Sequence, residues 1–215
     1  MIKRIYKKLA SVFMSGFRKI HYKKMKKQPK NENFSIIASD CFGTFVYHSL
    51  GLQFLSPTIN LFFSKKDFWT FVNDLEGFFA AELYEVKDHG QPYPIGKLEH
   101  DGKSIQINFM HYKTFEEAKE KWNERKQRVN FSNLYIVQII AAGVNQDDID
   151  NFEKIPYKNK LLITKENDLV CKDMVTHPVF SKKNYKPGEI LAFKHDFAVS
   201  RNMDDLDYIS FLNSK

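Results

Sequence analysis

Apolar residues recur in steps of three and four at the start of the chain. In "MIKRIYKKLASVFMSGFRKIHYKKMKK" they are Ile2, Ile5, Tyr6, Leu9, Ala10, Phe13, Phe17 and Ile20, with Lys3, Arg4, Lys7, Lys8, Arg18 and Lys19 around the rest. That spacing predicts an amphipathic helix. Lys26 to Asn33 is polar with one Pro and reads as a linker. Phe34–Ser39 is a short buried strand, Thr44–Leu50 a short helix ended by Gly51, and Ser56-Pro57-Thr58 a turn. Ser64 then caps a helix predicted from Lys65 to about Val86, on the helical spacing of Phe68, Phe71, Val72, Leu75, Phe78, Phe79 and Leu83.

Beyond a Gly- and Pro-bearing loop from Lys87 to Pro94 the period changes to two. Ile95–Leu98 and Ser104–Met110 read as strands, with Asp101-Gly102 as the hairpin signal between them. Thr114 and Glu117 form a capping-box pattern for a charged helix running to about Val129. Leu134–Ile140 is nearly all apolar, as a central parallel strand requires. Gln146–Glu153 reads as helix, Lys160–Thr164 as strand, Glu189–Phe193 as a last strand and Met203–Leu212 as a closing helix. Strands alternating with helices predict a three-layer α/β fold, with a mostly parallel or mixed central sheet between flanking helices. At 215 residues the chain suits one such domain, 31–215, preceded by a basic amphipathic arm, 1–30.

Charge sharpens the picture of the arm. Residues 1–30 hold eleven of the 33 Lys and Arg residues and no acid; the remaining 22 face 26 acidic residues, a net charge of −4. A mildly acidic domain thus carries a strongly basic helix. Large apolar residues on one face with Lys and Arg around them describe a helix lying in a membrane interface, so an anionic membrane surface is the expected partner of residues 1–30. The alternative is an ordinary first helix packed on the domain. No base-reading motif accompanies the charge, which argues against nucleic acid. No apolar run is long enough to span a bilayer, and charges interrupt every apolar stretch that would make a secretory signal. Cys41 and Cys171 form neither a metal-ligand spacing nor a disulfide framework, so the expected location is the cytoplasm, at the inner face of the membrane.

Ligands of α/β sheets bind beyond the carboxyl ends of the strands. Ser39–Gly43, His111-Tyr112-Lys113 and Ala141–Asn145 all fall at such predicted ends. Asp40 reads as a base or donor contact, with Ser39 and Tyr112 as polar neighbours of the site. Cys41 is either a thiol nucleophile with His111 as its base or a small core residue. Gly43 either lets backbone approach a phosphate or serves a tight turn. His111 is a base, a phosphate ligand or a structural histidine, and His48 reads as structural. On the charged helix Arg125 offers a guanidinium fork to a diphosphate. Asp147, Asp148 and Asp150 complement a helix N-terminus; no metal constellation is visible.

"NFMHYKTFEEAKEKWNERKQRVNFSNLYIV", with "FSIIASDCFG", "LSPTINLFF", "YPIGKL" and "IPYKNKLLIT" in order, resembles the DUF1919 family over about residues 34–213. The resemblance implies an α/β fold and a setting in bacterial capsule or exopolysaccharide assembly. Relatives favour Asn-Cys-Trp-Gly where this chain has Asp40-Cys41-Phe42-Gly43. The expected function is transfer of a sugar or substituent from an activated, phosphate-bearing donor such as a nucleotide sugar to a lipid-linked or other glycan. A non-catalytic accessory protein and a Cys–His acyltransferase or hydrolase are the alternatives. The sequence specifies no cofactor.

Overall fold

The computed structural model describes residues 2–87 and 90–214, and side chains from Ile5 onward. Ile2, Lys3 and Arg4 of the predicted amphipathic pattern, and Asp88 and His89 of the predicted loop, lie outside the described side chains or residues. The elements in chain order are α1 (Ile2–Met25), β1 (Ser35–Ala38), α2 (Phe42–Leu50), α3 (Lys65–Val72), α4 (Leu75–Ala80), β2 (Tyr84–Val86) and β3 (Ile95–His100). There follow β4 (Lys103–Asn108), α5 (Phe115–Lys126), β5 (Leu134–Ile140), α6 (Gln146–Glu153), β6 (Asn159–Thr164), β7 (Met174–Thr176) and α7 (Tyr208–Leu212).

The run Leu134–Ile140 forms an interior strand of a four-stranded sheet ordered β1-β5-β6-β7, every pair parallel. Both faces are covered, which is why its strands are apolar without alternation. Ile36, Ala38, Tyr135, Val137, Leu161 and Ile163 face α2, α7 and the late turns. Ile37, Ile136, Ile140 and Leu162 face α3 to α6 and the second sheet. The three-layer α/β architecture follows. β2-β3-β4 is antiparallel and separate from the parallel sheet.

One short segment stitches the two sheets together. Phe63 N–H donates to the Ser39 carbonyl at 2.9 Å, and Phe62 exchanges two 2.9 Å backbone bonds with Asn108. The turn that follows β4 is thereby carried to the carboxyl end of β1. The outer edge of β1 is satisfied by side chains. Ile36 N–H donates to the Tyr47 hydroxyl (3.1 Å), which donates to the Phe34 carbonyl (3.0 Å). Ala38 N–H donates to Thr58 Oγ1 at 3.1 Å. An open strand edge is closed without another strand.

Three sequence expectations are corrected. The helix predicted from Lys65 to about Val86 is two helices and a strand. Asn73 ends the first and Asp74 caps the second, its Oδ1 accepting from Gly77 N–H at 3.3 Å while Oδ2 lies 2.7 Å from His100 Nδ1. Gly77 is needed there, since a Cβ would fall 2.2 Å from His100 Nδ1. The predicted strand Glu189–Phe193 is a single turn at Glu189–Leu191, with only Phe193 bridging to Arg201. The predicted helix Met203–Leu212 is broken by Asp207, whose φ of 44° ends one turn and caps α7.

The basic helix lies on the domain. Ala10, Met14 and Met25 are buried beneath it. Arg18 donates to the carbonyls of Ala198 (3.0 Å) and Asp196 (2.9 Å), and its guanidinium sits 3.6 Å from the centre of the Phe193 ring.

Candidate functional site

β1 runs out into Ser39-Asp40-Cys41, and α2 begins at Phe42. Beside the first turns of α2 lies a cleft of about 540 Å³. Cys41, Thr44, Phe45, His48 and Ser49 form its α2 wall, and Asn60 and His111 face them from the stitched segment and the β4 turn. Tyr22 of α1 and Arg201 close one end. A second cleft of about 470 Å³ lies on the far side of His48, between the 51–54 turn and α5, and contains Lys121, Glu124, Arg125 and Arg128. His48, exposed and in edge contact with Phe54 at 5.6 Å, belongs to both.

His111 is exposed at the tip of the β4 turn. The residue after it holds the turn in place. Tyr112 is buried, donates its hydroxyl to the Ile59 carbonyl at 3.0 Å, and accepts from Arg125 Nη1 at 2.7 Å. Arg125 also lies 5.1 Å from the centre of the Phe54 ring, so one guanidinium fixes both the β4 turn and the wall of the second cleft. Arg128 pairs with Glu124, and Lys121 with Glu120 and Glu124. Three of the four charged residues of that cleft are cationic.

Asn60 lines the same cleft as His111 and has a φ of 61°, a left-handed conformation that Asn adopts more readily than most residues. Its N–H donates to Thr44 Oγ1 at 3.0 Å, tying the stitched segment to α2. Arg201 lies between the rings of Phe45 (4.4 Å) and Phe193 (4.2 Å) and donates to the Leu191 carbonyl at 2.6 Å. Burial raises the pKa of Tyr22, with the Asp204 carboxylate adding to it, so the phenol stays protonated.

The remaining sequence candidates have structural partners. Ser39 Oγ accepts from Ile139 N–H at 3.1 Å and bonds β1 to β5. Gly43 brings α2 close to β1; a Cβ there would sit 3.3 Å from Ile36 Cγ2. Asp40 is half-buried and lines neither cleft; its Oδ1 accepts from Phe42 N–H at 2.9 Å. Burial pushes its carboxyl up to about 6, against the pull of that hydrogen bond. Cys41 is buried, with Sγ 3.8 Å from the Leu61 carbonyl oxygen, and burial followed by the Asp40 charge pushes its thiol up to about 12. A nucleophilic cysteine needs the opposite, an electropositive setting that lowers its pKa. Ala141–Asn145 lines neither cleft and instead leads into α6, which Asn145 and Asp148 cap reciprocally. Phe42 is buried against Tyr208 and does not line the cleft. Among the described residues no three His, Cys, Asp or Glu side chains gather to hold a metal ion.

Tyr22, Thr44, Phe45, Asn60 and Arg201 were absent from the sequence candidates, and His48 had been read as structural. Their common signal is three-dimensional, because they reach one cleft from α1, α2, the stitched segment and the last turns.

A parallel sheet covered on both faces, with polar and cationic side chains converging beyond the end of its first strand, defines an α/β domain with a cleft where such sheets place their ligands. Residues 12–213 match the family described as Domain of unknown function (DUF1919), and the chain belongs to that family. It is 32% identical over 183 residues to an uncharacterized protein of Haemophilus influenzae, with 85% of each chain covered. The match begins inside α1, so the second half of that helix is part of the family's domain.

Proposed function

We propose that this protein binds a phosphate-bearing sugar donor along the two clefts and transfers its sugar or a substituent to a glycan acceptor during assembly of bacterial surface polysaccharide. The polysaccharide setting rests on the family resemblance. The chemistry rests on one observation, that His48 lines both clefts. One side carries the groups that read a sugar: the Asn60 amide, the Thr44 hydroxyl, the Phe45 ring and the His111 imidazole. The other carries Arg125, Arg128 and Lys121, whose donors and charge suit phosphate oxygens.

In this reading the acceptor hydroxyl gives its proton to His111 as its oxygen attacks the sugar. The bond to phosphate breaks, the electron pair leaves with the phosphate, and the cationic cleft meets the charge that develops. The Cys–His alternative has no support in the protonated, buried thiol of Cys41.

Calorimetric titration of the full chain with a panel of nucleotide sugars tests the proposal, beside His111→Ala and His48→Ala. Both histidines are exposed, so these variants are expected to fold, which circular dichroism checks. Saturable binding of one donor, weakened about tenfold in each variant, is the expected result. Heatless titrations across the whole panel would overturn it and leave the accessory role as the better account.

A further inference from the structure

The outer face of α1 is an extended apolar surface left uncovered. Among the described residues, seven of the twelve exposed large hydrophobic side chains lie on this one helix. Ile5, Leu9, Val12, Phe13, Phe17 and Ile20, each 54 to 67% exposed, form a stripe along it, and Phe13 and Phe17 touch at 6.0 Å between ring centres. The stripe extends about 22 Å at the rise of an α-helix. It faces away from the domain, because Ala10, Met14 and Arg18 occupy the inner face. Single exposed hydrophobic residues are ordinary, whereas an ordered row of them marks a surface that meets something apolar.

Charge identifies the occupant. Exposed Lys8 and Lys19 border the stripe, and exposed Lys23, Lys24 and Lys27 continue it where its apolar residues end. No acid lies within residues 1–30. A second copy pressed face to face would set lysine rows against each other. An anionic lipid surface would take the apolar row among its acyl chains and the lysines at its headgroups. No described helix is long and apolar enough to cross a membrane.

We infer that α1 is a fixed docking rail for an anionic bilayer, with Arg18 and Tyr6 fastening it to the domain. The sequence pattern assigned Ala10 to the same apolar face as Phe13; the structure divides them, one row to the domain and the other outward. Tyr22, on the inner side, lines the first cleft, so docking holds that cleft about one helix diameter above the lipid. On the transferase reading, that height places it among headgroups and their phosphates rather than acyl chains.

Co-sedimentation with vesicles of phosphatidylcholine, alone or mixed with phosphatidylglycerol, tests the rail on the full chain. Leu9→Ser/Phe13→Ser/Phe17→Ser changes only exposed positions, and circular dichroism melting confirms that it folds. The wild type is expected to pellet with the anionic vesicles, less so as salt rises, and the triple variant to bind more than about tenfold more weakly. Lys23→Glu/Lys24→Glu/Lys27→Glu is expected to lose the anionic preference. Equal binding of wild type and triple variant, or no binding to either vesicle, would overturn the inference. So would a dimer in solution that the triple variant dissociates. Vesicle binding needs no sugar donor, and donor binding needs no vesicle, so failure of either proposal leaves the other measurable.

Discussion

Arg125 donates to the Tyr112 hydroxyl at 2.7 Å, and Tyr112 donates onward to the Ile59 carbonyl at 3.0 Å. This relay joins α5, the turn after β4 and the segment that stitches the two sheets. His111 precedes Tyr112 and Asn60 follows Ile59, so the relay sets the spacing of two side chains that line the cleft. Tyr112→Phe removes both bonds while keeping the ring against Phe109. It is expected to lower stability by about 1–2 kcal/mol and to weaken donor binding with His111 still present. Denaturant unfolding and calorimetry read the two effects. Unchanged affinity would show that the relay does not position the site.

Asp40 carries a burial cost whose sign can be measured. The folded protein holds its proton more tightly than the unfolded chain, so the carboxyl adds stability below its ordinary value of 3.8 and loses it as pH rises through about 6. Asp40→Asn keeps an acceptor for Phe42 N–H and removes the charge. It is expected to be more stable than the wild type by about 2–3 kcal/mol near neutral pH, the gap narrowing as pH falls toward 4. Equal stabilities at neutral pH would mean that water solvates the ionised carboxylate.

His177 moves the other way. Its Nδ1 accepts from Val179 N–H at 3.1 Å and its Nε2 lies 3.0 Å from the Asn202 carbonyl, partners that assign the proton to Nε2. Burial lowers its pKa, against the pull of Asn202 and Asp205. Its contribution is therefore complete above 6.5 and lost as pH falls toward the depressed folded value. His177→Asn keeps an acceptor near Val179 and loses the second bond. At neutral pH it is expected to be about 1–2 kcal/mol less stable, with a flatter acid limb in thermal melts. An acid limb as steep as the wild type's would assign that loss to other groups.

Gly43→Ala separates packing from ligand contact. The new methyl would press Ile36 at 3.3 Å, and overpacking of about 1–3 kcal/mol exceeds the helix propensity gained. A lower melting temperature with unchanged donor affinity is expected. Unchanged stability with lost binding would instead make Gly43 a backbone contact to the ligand.

What the sequence carried was local. The apolar run of β5, the Ser64 and Thr114 caps and the acidic first turn of α6 all depend on residues within a few positions of each other, and each is formed. The break at Asn73-Asp74 was hidden because α3 and α4 bury residues in one core, so the apolar spacing continues across it. β7 is a three-residue strand at the sheet edge with two half-buried side chains and one exposed, too short and mixed to show a period. The site divides along the same line. His111 and Cys41 were legible as residues at strand ends, whereas Arg201 and Tyr22 enter the cleft through contacts about 180 positions apart, such as Arg18 with Ala198. Arg125 was read from guanidinium chemistry and does line a cleft, but its anchor, Tyr112, required the structure.

That one donor engages both clefts across His48 is tested most directly by nuclear magnetic resonance of histidine-labelled full chain, titrated with each nucleotide sugar in turn. The account predicts that one donor shifts the imidazole signals of His48 and His111 together, with a common saturation curve, while those of His100 and His177 stay in place. Shifts at His100 or His177 alone, or none at saturating donor, would contradict it.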